Sequence, residues 1–242
     1  MEKIEIIKSI TGRTGGDIYL GVVGAVRTGK STFIKKVIEN LVVPNIEDEY
    51  ARKRALDEIP QSANGKTIMT TEPKFVPSNA AEIQIDNFKA NIRLIDCVGY
   101  VIPGSSGYED ENGPRMVKCP WYDDAIPFIE AAELGTEKVI KEHSTIGIVV
   151  TSDGSFGEFK RNNYVEAEET VVNELKEIGK PFIILLNTAN PGSQEANNLT
   201  LELKNKYGVP VLPINVELMQ ERDMYNILKE ALYEFPVVEG KV

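Results

Sequence analysis

One nine-residue stretch, Gly24-Ala25-Val26-Arg27-Thr28-Gly29-Lys30-Ser31-Thr32, gathers the residue types that hold a polyphosphate. Its spacing is G-x-x-x-x-G-K-[ST]. In such a loop the glycines let successive backbone N–H groups curl around an anion, and the following helix adds partial positive charge at its N-terminus. Lys30 is then placed to reach the β- and γ-phosphates, and Ser31 to ligate Mg²⁺. A second piece is Ile92-Arg93-Leu94-Ile95-Asp96-Cys97-Val98-Gly99, an apolar strand ending in a carboxylate with a glycine three residues on. In this D-x-x-G, Asp96 is predicted to hold the Mg²⁺ through water, and the Gly99 N–H to sense the γ-phosphate. Between them lies Lys66-Thr67-Ile68-Met69-Thr70-Thr71-Glu72-Pro73. A threonine of this loop is predicted to close on the metal and the γ-phosphate. Thr70 and Thr71 are both candidates, and spacing does not choose between them.

Together the three pieces resemble the translation-factor-related class of P-loop NTPases. Members of that class carry a base-reading N-K-x-D after the fifth strand; this chain has Asn187-Thr188-Ala189-Asn190 there. A carboxamide at Asn190 offers one oxygen and no charge where the aspartate accepts two N–H bonds from guanine. Hydrogen bonds to charged groups contribute about 1.5–3 kcal/mol, so guanine preference should weaken and ATP is the expected nucleotide. The alternative is a GTPase-type regulatory switch with altered base specificity; a structural protein with a vestigial loop is a further rival. Arg27 is a cation the loop does not need for binding. It matches G-x-x-R-[ST]-G-K-S of the guanylate-binding dynamin-like GTPases, where the arginine acts as a finger in cis. The water-positioning glutamine that usually follows D-x-x-G is replaced by Tyr100. Arg27 is therefore expected to supply transition-state charge, an effect of ~10³–10⁵ in rate where a finger operates.

These residues need strands and helices to position them. Six apolar runs read as strands: 18–23, 82–85, 91–95, 146–151, 182–187 and 211–214. Most are continuous rather than alternating, as expected for strands covered on both faces. Helical patterns occupy 30–40, 164–178, the region of Leu199, Leu203 and Tyr207, and the region of Met224 to Leu232, with Gly179 and Gly208 as stops. Strands alternating with helices predict an α/β fold, a mostly parallel, doubly wound sheet with one antiparallel edge strand from the short 86–90 connection. The whole chain, 1–242, reads as a single domain, with 43–76 and 100–127 as long switch-like loops.

A net charge of −10 over 242 residues excludes a broad nucleic-acid surface. No apolar run approaches the ~18 residues that span a bilayer. Cys97 and Cys119 form no C-x-x-C and read as ordinary small apolar residues of a reduced, cytoplasmic protein. His143 reads as a helix-end residue, Trp121 as an anchor for the long loop, Asp153-Gly154 as a turn, and the acidic 107–116 segment as a solvated loop.

The chain also resembles, over essentially its whole length, the N-terminal portion of the stage IV sporulation protein A family, coat-basement ATPases of endospore-forming bacteria. The resemblance rests on "RTGGDIYLGVVGAVRTGKSTFIKK", "GKTIMTTEPKFVP", "DCVGY", "GYEDENGPRM", "PWY" and "EALYEFPV". It implies ATP binding and hydrolysis coupled to formation of a homopolymer on the forespore surface, within the mother-cell cytoplasm. It implies contacts with a small amphipathic membrane peptide and with other coat morphogenetic proteins. Those contacts belong to a C-terminal half that family members carry beyond the span matched here.

Overall fold

The computed structural model describes residues 2–60, 73–85, 88–110 and 113–235. The chain opens with helix α1 (Lys3–Thr14), enters strand β1 (Asp17–Val23), and turns through the phosphate-loop motif into helix α2 (Lys30–Val37). A π-helical turn, Ile38–Val42, prolongs α2, and a short helix α3 (Glu49–Asp57) follows. Strands β2 (Lys74–Ile85) and β3 (Phe88–Asp96) come next. Two small ribbons interrupt the path to the next helix. They are β4 (Glu109–Asp110) with β5 (Gly113–Pro114), and β6 (Met116–Val117) with β7 (Ile126–Pro127). The rest alternates: α4 (Phe128–Lys138), β8 (Ile146–Ser152), α5 (Arg161–Ile178), β9 (Phe182–Asn187), α6 (Gln194–Tyr207), β10 (Val211–Ile214) and α7 (Glu221–Tyr233).

The main sheet runs β10-β9-β8-β1-β3-β2. All neighbours are parallel except β2 with β3, the antiparallel edge pair. Every residue of β8 and β9 is buried, which explains their unbroken apolar runs: helices cover both faces. One face packs on α1, α2 and α7 through Ile6, Ile10, Phe33, Ile34, Met224 and Leu228. The other packs on α5, α6 and the turn after α4 through Val139, Ile140, Val171, Leu175 and Leu203. Gly179 and Gly208 adopt left-handed conformations, φ 72° and 69°, and end α5 and α6 as their positions require.

Several expectations change. Helix α1 precedes the first strand, in a stretch assigned no element from the sequence; Ile6, Ile7 and Ile10 bury its inner stripe. The 43–76 stretch is not uniform loop, because it contains α3 and the start of β2. β2 is far longer than 82–85: it pairs with β3 from Lys74↔Asp96 to Ile85↔Phe88, with an irregularity between Val76 and Ala81. The 100–127 stretch carries the two ribbons. Among the described residues no helix is long and apolar enough to cross a membrane.

Candidate functional site

β1 ends at Val23, and the chain must reverse into α2 within six residues, 24–29. Three glycines make that geometry possible at the site. Gly24 has φ 131°, and a Cβ there would lie 2.2 Å from the Val150 carbonyl oxygen of β8. Gly29 has φ 98°, and a Cβ would meet Asn187 Nδ2 at 2.7 Å. Gly99 has φ 89° and faces Gly24 and Lys30. Side chains at these points would clash as well as strain the backbone. Arg27, at φ 66°, is the single non-glycine residue with positive φ among the described residues. Backbone strain of that kind costs roughly 1–3 kcal/mol and persists where surrounding structure imposes it.

Lys30 and Ser31 are the first two residues of α2. The Lys30 side chain folds back over the loop and donates to the carbonyls of Ala25 at 2.6 Å and Gly24 at 3.3 Å. It is only 6% exposed. Burial pushes its amine down to about 8, with the Asp96 carboxylate opposing that shift. Asp96 is the last residue of β3 and sits opposite Val22 of β1, so the parallel register alone brings it beside the loop. Ser31 Oγ donates to Asp96 Oδ2 at 2.9 Å. The second carboxylate oxygen, Oδ1, is buried without a hydrogen-bond partner among the described residues. Burial raises the Asp96 carboxyl above its usual range, while Lys30, Ser31 and Lys74 hold it down.

The rest of the loop is fixed by its own contacts. Thr28 Oγ1 donates to the Ala25 carbonyl at 2.9 Å. The Val26 N–H donates to the Tyr100 carbonyl at 2.8 Å, and Ala25 and Val26 are buried. Thr32 is half-buried on α2. Arg27 is half-buried and lies close enough to Tyr164 of α5 to act on its hydroxyl, which burial raises and Ser152 and Arg27 lower. Gly99 is brought against Lys30. Thr70 and Thr71 lie outside the described residues.

Asn187, at the end of β9, has both ends of its carboxamide engaged by protein. Nδ2 donates to the Thr28 carbonyl at 3.0 Å, and Oδ1 accepts from the Val216 N–H at 3.2 Å. It is therefore a strut between the phosphate loop and the segment after β10, and these bonds use one of the two N–H groups of its amide. Asn190 is exposed, with its backbone N–H on Thr188 Oγ1 at 3.3 Å. Asn215 bridges to the Ala189 carbonyl at 3.3 Å, tying the two loops together. The structure thus gathers Lys30, Ser31, Asp96 and Gly99, with Arg27 at the rim and Asn187 behind.

Sequence reasoning missed Glu174. The buried Tyr100 donates its hydroxyl to this α5 carboxylate, and only the fold brings the two together. Among the described residues no cluster of three His, Cys, Asp or Glu could hold a metal by itself. One hydroxyl and one carboxylate, as at Ser31 and Asp96, suit instead a cation that shares its coordination with phosphates and water.

The chain matches a described protein family over nearly its whole length. Residues 1–236 match the family model described as "Stage IV sporulation protein A, ATPase domain". The chain is 62% identical over 243 aligned positions to Stage IV sporulation protein A of Bacillus anthracis, covering 100% of this chain and 49% of that protein. It is 61% identical to the protein of the same name from Bacillus subtilis (strain 168), again over 100% of this chain and 49% of the relative. Identity to the Clostridioides difficile (strain 630) protein is 53%, over 98% of this chain and 48% of the relative. The chain spans about half the length of these curated relatives.

Proposed function

The chain belongs to the stage IV sporulation protein A ATPase-domain family, and from that premise we propose that it binds Mg²⁺-ATP on the 24–32 loop and hydrolyses it slowly to ADP and phosphate. The observation that carries this reading is the 2.9 Å bond from Ser31 to Asp96 beside the buried Lys30. It unites the phosphate-loop motif with the carboxylate of D-x-x-G. Asp96 Oδ1, without a partner among the described residues, fits a cation or one of its waters.

Ser31 and Asp96 would hold Mg²⁺, which when bound neutralises charge on the β- and γ-phosphate oxygens. The Lys30 ammonium would lie against the same oxygens. Gly99 N–H and a threonine, Thr70 or Thr71, would orient the terminal phosphate for in-line attack by water. Arg27 would add transition-state charge where no glutamine orients the attacking water, and no side chain described at the site is a strong base, which is why turnover should be slow. Asn187 holds the loop from behind, and base preference would fall to Asn187, Asn190 and the 213–217 segment.

In the longer protein, hydrolysis would drive self-assembly into the basement layer of the spore coat, at the forespore surface in the mother-cell cytoplasm. Its other partners, coat morphogenetic proteins and a small amphipathic membrane peptide, would bind through the half of the relatives' length that this chain does not span. Nucleic acid is not a partner on this reading. Calorimetric titration of Mg²⁺-ATP into the chain, with GTP as competitor, tests the proposal. Binding of ATP that GTP does not displace, and its loss in Lys30→Ala, is the expected result. No heat with ATP would end it, and tighter GTP binding would replace it with a regulatory GTPase switch.

A further inference from the structure

Two surfaces on opposite faces of the main sheet are each incomplete, and each has what the other lacks. The first is the outer side of α3. This helix packs through Ala55, and partly through Ala51 and Ile59, onto the core of the α1–α2–α7 face. Tyr50, Lys53 and Arg54 are three and four residues apart, so they share the side turned away from that core. All three are exposed, Tyr50 to 87%. Exposed Leu56 borders them, and Glu49 and Asp57 stand at the two ends of the helix. Arg52 spends its guanidinium on the Ile46 carbonyl at 2.6 Å. Lys53 and Arg54 join no ion pair among the described residues.

The second surface is a cavity of about 270 Å³ between α4, α5 and the 100–108 segment, on the other face of the sheet. Tyr100, Ile102, Ile129 and Ala167 line it with ring and aliphatic surface, and Glu133 and Glu166 add two carboxylates. Burial raises the carboxyls of Glu133 and Glu174. Glu130 adds to this at Glu133, and Glu133, Glu137 and Glu177 add to it at Glu174, where the Tyr100 hydroxyl alone opposes. None of Glu133, Glu137, Glu166 and Glu177 forms an ion pair among the described residues. Small-molecule pockets run to ~300–1,000 Å³. This cavity falls short of that range and suits one side chain reaching in from another surface. Its walls call for a ring or an aliphatic stem, and its carboxylates call for positive charge. Helix α3 offers both, but the sheet separates it from the cavity of its own chain.

We propose that the outer side of α3 docks on the α4–α5 cavity of a second copy of this chain, with Tyr50 in the cavity and Lys53 and Arg54 against Glu133 and Glu166. Tyr and Arg are the residue types that most often anchor an interface when seated in a pocket. Each copy carries both surfaces, so the contact joins unlike patches head to tail and builds a row or ring rather than a two-fold pair. The charge pairs act at contact and set how long two copies stay together, while the net charge of −10 sets how often they meet. The inference gives surfaces to the self-assembly proposed above and rests on that reading, but on no detail of the nucleotide site.

Sedimentation velocity over a concentration series, with and without Mg²⁺-ATP, tests the contact. The unmodified chain should self-associate. Tyr50→Ala should weaken that association by ~10–100-fold, the scale of an interface anchor. The paired reversals Lys53→Glu with Arg54→Glu, and Glu133→Lys with Glu166→Lys, should each abolish it, because like charges then face each other. Mixing the two reversed chains pairs unlike charges at every contact again, so association should return. A merely structural effect of either reversal would not be rescued by a second chain. All five positions are exposed, so the variants should fold, and thermal melts check this. Association that survives both reversals overturns the inference and leaves self-assembly standing through other surfaces. Two folded, monomeric variants that stay monomeric when mixed also overturn it. An unmodified chain that is monomeric throughout overturns it as well, while nucleotide binding is read separately by calorimetry.

Discussion

Arg27 combines two features that are independent of each other: a charge the loop does not need for binding, and a left-handed backbone that disfavours any side chain. Arg27→Ala retains the strain and removes the charge. Its turnover should fall by ~10²–10⁴-fold while the ATP Kd moves little, as for other preorganised charge donors. Steady-state turnover at saturating ATP measures this, and unchanged turnover would remove Arg27 from the mechanism. Arg27→Gly removes the charge and relieves the backbone, so it should melt higher than Arg27→Ala by about 1 kcal/mol of stability. Asn187 makes a different prediction. In Asn187→Asp the group facing the Thr28 carbonyl no longer donates, and a carboxylate is left against an acceptor. The loop should lose order, with a stability loss of about 1–3 kcal/mol in chemical denaturation and weaker ATP binding. At this scale the sequence was informative where chemistry is local. Lys30, Ser31, Asp96 and Gly99 could be picked out because their spacing encodes a strand, a turn and a helix start. Asn187 was visible but its role was not, since the partners of its amide, Thr28 and Val216, are set by strand order.

Helix α5 carries a buried polar cluster of its own as well as the partner of Tyr100. Arg161 grips Glu168 with two nitrogens, at 2.6 and 2.8 Å, and Glu168 also accepts from Thr151 of β8 at 2.6 Å and Tyr207 of α6 at 2.8 Å. The Glu168 side chain is 1% exposed. Glu168→Ala would strand a guanidinium and two hydroxyls, so unfolding free energy should drop by about 3–5 kcal/mol. Nearly two turns further along, Glu174 behaves in the opposite sense. Its carboxyl is raised above its ordinary value of 4.5, so the folded chain holds the proton more tightly than the unfolded chain does. That contribution to stability is full below the unfolded value and is lost as pH rises through the folded value. Glu174→Gln, neutral throughout, should therefore melt higher than the parent near pH 7–8 and match it near pH 4. Thermal melts across that range check the sign. The elements differ in how plainly the sequence announces them. β9 and β10 have the bounds their apolar runs suggested, 182–187 and 211–214. Helix α3 buries one residue, Ala55, so it has no apolar stripe to betray it; only Asp48, capping the Tyr50 N–H at 2.9 Å, marks its start. Helix α1 is capped at Glu2, whose N–H donates to the Glu5 carboxylate at 2.9 Å, a start that the usual Ser/Thr pattern does not reveal.

At the scale of the molecule, a net charge of −10 opposes the approach of a second copy. If the longer protein assembles as proposed, raising ionic strength from ~0.05 to ~0.3 M should speed assembly by screening that repulsion. Light scattering of the full-length protein with Mg²⁺-ATP reads this directly, and slower assembly at higher salt would point instead to attraction between unlike patches. The double covering of β8 and β9 has a consequence of its own. Strands with no solvent-facing residue release their amide protons only when both helical layers part. In deuterated buffer those two strands should keep their hydrogens longest, and the time they take to lose them is a direct clock for opening of the entire domain.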